Sequence, residues 1–68
     1  MIDYAELISK YTINGNGFRK MSEDDLAKVD YIQLRRTLVR WKPRAMHTEI
    51  DYMVDCLYGE RLIHEHSY

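Results

Sequence analysis

Apolar residues at Tyr4, Leu7, Ile8 and Tyr11 follow the i, i+3, i+4, i+7 spacing of one helix face. They predict a first helix from Asp3, a capping residue type, to about Tyr11. The pattern then breaks at Ile13-Asn14-Gly15-Asn16-Gly17-Phe18, whose doubled Asn-Gly marks a turn because both residue types tolerate positive φ. Two forms stay open for residues 12–21. One is a small β-hairpin pairing Tyr11–Ile13 with Phe18–Lys20; the other is a loop pinned by Ile13 and Phe18.

Periodicity resumes after Ser22, an N-cap type followed by three acids, Glu23, Asp24 and Asp25, where the helix dipole favours them. Ala27, Tyr31, Leu34, Leu38 and Trp41 form an alternating four–three stripe, predicting one long helix to about Trp41. A second stripe of Val29, Ile32 and Val39 makes that helix apolar on two sides. Such a helix is either central in a small bundle or covered by another chain. Pro43 stops it and can also open the next helix. Met46, Ile50, Met53, Val54 and Leu57 then carry a third helix to about Tyr58, with Gly59 as its C-terminal stop. Arg61-Leu62-Ile63-His64-Glu65-His66 is too short for another helix and reads as a short strand or docked tail. The expected architecture is mainly α, a compact three-helix domain resembling a helix-turn-helix. It carries a turn-rich 12–21 connection, in which a short β-hairpin near 11–20 is one of the two open forms, a short C-terminal strand, and a mobile tail at 64–68.

Length limits what such a domain does. A chain of 68 residues is a single small domain that buries about 60% of its unfolded surface, little room for a catalytic constellation and a substrate pocket together. Hydrophobic residues at 46% exclude intrinsic disorder. The single cysteine, Cys56, excludes an intrachain disulfide. The N-terminal residues lack the basic and apolar regions of a signal peptide, and no apolar run approaches the roughly 20 residues of a membrane span. These features point to a cytoplasmic protein.

The stretch from Arg40-Trp41-Lys42-Pro43-Arg44 through the Ile50/Val54/Leu57 helix to Leu62-Ile63 resembles the end of a winged helix-turn-helix. Residues 30–66 are similar in type to penicillinase-repressor-like DNA-binding domains, where a Trp-x-Pro precedes the recognition helix. They are also similar to the C-terminal winged-helix segment of cullins, which has a basic-aromatic-Pro turn of this kind. The cullin-like alignment needs a roughly two-residue insertion after Pro43, and the repressor-like one makes the helix about a turn longer here. The Asn-Gly segment has no counterpart in either, and a second wing strand has none before Tyr68. The resemblance implies a helix-turn-helix fold with its recognition helix after Pro43.

The net charge of −1 conceals a segregation. Residues 35–47 hold five bases, Arg35, Arg36, Arg40, Lys42 and Arg44, together with His47 and no acid. Residues 48–68 hold five acids against Arg61. Either the two blocks neutralise each other, or they are surfaces of opposite sign and one is a binding face. Arg35, Arg36, Arg40, Lys42, Arg44 and His47 are therefore the candidate nucleic-acid contacts, with Trp41 able to stack on an unpaired base. Glu49, Asp51 and Asp55 would repel phosphate from the next helix, and a pI near 6.3 is low for a nucleic-acid binder.

Motifs with chemistry are nearly absent: no P-loop, no Gly-rich dinucleotide turn, no HExxH, no CxxC. His64-Glu65-His66 offers two imidazoles where a metal site needs four convergent ligands. Cys56 has no base spaced to activate it. Neither an enzyme nor a cofactor is expected. Six Tyr, one Trp and four Met remain, of types used at protein interfaces when they do not line the core. Glu49, Tyr52, Asp55, Tyr58 and Trp41 are the candidate protein contacts. The composition suits a small stoichiometric regulator or inhibitor of a protein partner, of a style common in phages and mobile elements. A DNA- or RNA-binding helix-turn-helix protein is the alternative. A homodimer with the Val29/Ile32/Val39 stripe as its seam is a third reading.

Overall fold

The computed structural model describes residues 2–14 and 17–64. Its helices are α1 (Tyr4–Tyr11), α2 (Glu23–Lys28), α3 (Tyr31–Trp41) and α4 (His47–Tyr58). The mainly helical class is as expected, but there are four helices among the described residues rather than three.

The extra boundary cuts the long helix expected over 22–41. Val29 turns extended at the end of α2, and the Asp30 carboxylate then caps α3 by accepting the Ile32 N–H at 2.9 Å. The Tyr4 hydroxyl accepts the Asp30 N–H at 3.0 Å, so breaking the helix leaves that donor satisfied. The other ends follow the sequence. Asp3 accepts the Glu6 N–H to cap α1, and Ser22 accepts the Asp25 N–H to cap α2. Gly59 ends α4 in the left-handed conformation at φ 75°, with its N–H on the Asp55 and Cys56 carbonyls. A β-carbon there would adopt a disfavoured φ and press on the Lys20 side chain. Pro43 sits in the turn between α3 and α4 rather than in the first turn of α4. Met46 caps α4 without a side-chain bond and stays exposed, so it does not join the buried stripe.

The core is built from one side of each long helix. Ile8 and Tyr11 of α1, Leu34 and Leu38 of α3, and Ile50, Met53, Val54 and Leu57 of α4 are buried together with Phe18 and Met21. Helix α3 packs on both α1 and α4. The 12–21 connection is not a ladder. It makes one isolated antiparallel bridge, Thr12 with Phe18, supported by Arg19 N–H to the Tyr11 carbonyl at 2.9 Å. Phe18 pins it to the core while Ile13 stays exposed, and the Met21 N–H reaches the Leu57 carbonyl at 2.8 Å. The Gly15-Asn16 tip lies outside the described residues. No strand forms at 61–64; Leu62 packs against the core and Ile63 points away. The radius of gyration, 11.2 Å, matches the ~11 Å of a globular chain this long.

Three tyrosines use their hydroxyls to join elements. Tyr11 donates to Asp25 and accepts the Ser22 N–H at 3.1 Å, tying α1 to the start of α2. That hydroxyl, with Lys10 and Ser22 beside it, holds the Asp25 carboxyl below its ordinary range despite partial desolvation. Tyr11→Phe is expected to move the Asp25 titration upward toward that range, read by carboxyl NMR. An unmoved titration would show that the hydroxyl does not stabilise the carboxylate.

Candidate binding surface

The basic and acidic blocks meet only in part. Arg35 of α3 reaches the Asp51 carboxylate of α4 at 2.5 Å, with both side chains largely covered. Arg36, Arg40 and Arg44 make no ion pair with a described residue, whereas Lys42 and His47 each have an interaction partner. Arg35 is therefore neutralised at the α3–α4 seam, and Arg36, Arg40 and Arg44 stay outside it among the described residues.

Of the second apolar stripe, Val29 packs against the core at the end of α2, while Ile32 and Val39 of α3 face solvent. Ile32 is 59% exposed and Val39 48%. Positions 32, 36 and 39 lie within a narrow arc of a 3.6-residue helix, with Arg35 and Arg40 flanking it. These five residues line a shallow depression of about 620 Å³ on the outer face of α3. The helix from Tyr31 to Trp41 contains no acid, so every charge on this face is basic, and Tyr31 and Gln33 complete the lining.

The candidate protein contacts separate into three places. Glu49 and Tyr52 share the outer face of α4 and line a smaller depression with Thr48 and Met53. Tyr52 is 65% exposed, and hydrogen bonding to Cys56 raises its phenol above the ordinary range. Trp41 stands apart at the end of α3, beside Arg40 and the N-terminal turn of α1. Asp55 and Tyr58 turn inward and are engaged within the chain. Asp55 accepts the Leu62 N–H at 3.0 Å and lies 2.7 Å from the His64 Nε2. Tyr58 is half-buried edge-on to Tyr31, with ring centroids 6.2 Å apart, and burial first, then Tyr31, Asp30 and Tyr4, push its phenol up.

His64, expected in the tail, is held. Its Nδ1 is 2.8 Å from the Tyr31 hydroxyl and 3.6 Å from Asp51, and its side chain is 8% exposed. The ring thus bridges the two helices, with Nδ1 facing Tyr31 of α3 and Nε2 facing Asp55 of α4. The rest of the expected tail, 65–68, including Glu65 and His66, lies outside the described residues. This cluster of Tyr31, Asp51, Asp55 and His64 had no spacing signal, because its members come from α3, α4 and the segment after Gly59. Among the described residues no group of three or more potential ligands is arranged to hold a metal ion, and no helix is long and apolar enough to cross a membrane.

No protein-family model matches the chain, and neither a curated protein nor a solved structure does.

Proposed function

We propose that the protein is a small non-enzymatic regulator that acts by binding a protein partner stoichiometrically in the cytoplasm, as an inhibitor or adaptor. The observation that carries this reading is the outer face of α3, where two exposed aliphatic side chains sit beside Arg36 and Arg40, which pair with no acid among the described residues, while Arg35 on the flank is held by Asp51. Monomer surfaces gain nothing from Ile32 and Val39 in water, and arginine with apolar neighbours is the composition that interfaces favour. The phage-type regulator suggested by size and composition falls within this reading.

A nucleic-acid-binding winged helix-turn-helix protein is the second reading, favoured by Arg36, Arg40 and Arg44, which make no ion pair among the described residues. Against it, the helix after the turn offers Glu49 and Tyr52 outward, and an exposed carboxylate repels phosphate.

Affinity capture from lysate of the native host, with and without nuclease, tests the proposal alongside retention on heparin. The expected result is one protein held at equal stoichiometry regardless of nuclease, and no heparin retention near about 100 mM salt. Capture abolished by nuclease, with steeply salt-dependent heparin binding, would replace it with the second reading.

A further inference from the structure

We infer that the outer face of α3 is a docking groove for an acidic amphipathic helix of a partner protein, an inference that rests on the protein-binding reading above. The occupant is argued from charge and pattern. Ile32 and Val39 are separated by two helical turns, with Arg36 between them on the same arc and Arg35 and Arg40 on its flanks. A docked helix with apolar residues at i, i+3 or i+4, and i+7 covers the two aliphatic side chains. Asp or Glu beside that stripe then meets Arg36 and Arg40, whose guanidinium groups bind carboxylates through two parallel hydrogen bonds. Arg35 is already committed to Asp51, so the free charge to be matched is centred on Arg36 and Arg40.

The other occupants fit this face less well. A second copy related by a two-fold axis presents the same patch to itself. With no acid between Tyr31 and Trp41, that arrangement sets arginine against arginine. A phosphate backbone would satisfy the arginines but leave Ile32 and Val39 against a hydrated, charged surface. The apolar pair and the basic pair are matched together only by a surface that is itself apolar and acidic. Three turns of helix set the footprint at about 16 Å, the small end of protein interfaces, so the contact is suited to reversible binding.

The test titrates the isotope-labelled full chain with three probes and maps the perturbed backbone signals. The probes are a synthetic amphipathic leucine–glutamate helix, its leucine–lysine counterpart and a short random-sequence DNA duplex. The leucine–glutamate helix is expected to perturb α3 around Ile32, Arg36, Val39 and Arg40. Val39→Asp, and separately Arg36→Glu with Arg40→Glu, are expected to weaken it about tenfold or more. These side chains are exposed, so circular dichroism of each variant is expected to match the parent. No perturbation up to about 1 mM peptide overturns the inference, as does one centred on Glu49 and Tyr52. Equal weakening by Tyr52→Ala, or loss of the response in a dimer that Val39→Asp dissociates, also overturns it. In each of these cases, capture of a nuclease-resistant partner still stands for the broader reading. Preferential binding of the duplex to α3 overturns both.

Discussion

Leu38→Ala is expected to lower the unfolding free energy by about 3 kcal/mol, while Val39→Ala, one residue along, changes it by no more than about 0.5 kcal/mol. Leu38 has no solvent exposure and lies where α3 is enclosed by α1 and α4. Truncating it removes buried methyl groups and leaves a cavity that a small core closes only partly. Val39 lies about 100° further round the helix and is about half exposed, so its truncation removes little buried surface. A domain of this length has only about 3–10 kcal/mol in hand. The Leu38 variant is therefore expected to lose about a third or more of that reserve and to unfold at a clearly lower urea concentration, and the Val39 variant to give a nearly parental curve. Equal losses at both positions would mean that α3 is buried on two sides, and would remove the exposed face on which the binding proposal rests.

That pair of neighbours also marks how far the sequence could be read. Apolar spacing identifies which residues of α3 lie on the Leu34/Leu38 side and which on the Ile32/Val39 side. It does not say which side neighbours cover, because that depends on how α1 and α4 dock. The caps were legible from residue chemistry: Asp3, Ser22 and Gly59 stop and start helices as their side chains dictate. Asp30 carried the same kind of signal, an N-cap type before Tyr31-Ile32, but the periodicity ran through Val29 and Ile32 and masked the break. On α4 the acids read as one negative face. In three dimensions Asp51 and Asp55 turn toward Arg35 and His64, leaving Glu49 outward. A contact between α4 and a side chain nine positions later, beyond a glycine turn, has no periodic signature. The Arg36/Arg40 part of the candidate surface was legible as a basic run, and its apolar half as an unexplained second stripe.

Asp55→Ala is expected to cost about 2 kcal/mol near neutral pH and to release the segment after Gly59 from α4. Partial burial pushes this carboxyl up, and Asp51 nearby adds to that. The Leu62 N–H and the His64 ring outweigh both and hold it below the ordinary 3.8. A carboxyl depressed in the folded state contributes stability that is complete above the unfolded value, near pH 4, and is lost as pH falls through the folded value. The parent is therefore expected to lose part of its stability on the acid side of pH 4, and the Asp55→Ala variant to lack that component. Urea unfolding at neutral and acid pH measures the difference. Hydrogen exchange at the Leu62 amide reports the segment directly, because that N–H has only the Asp55 carboxylate as its partner among the hydrogen bonds of the described residues. Faster exchange there, with Leu34 and Leu38 amides still protected, is the expected pattern. Unchanged protection at Leu62 would show that hydrophobic contact of Leu62 with the core, rather than the carboxylate, holds the chain after Gly59 in place.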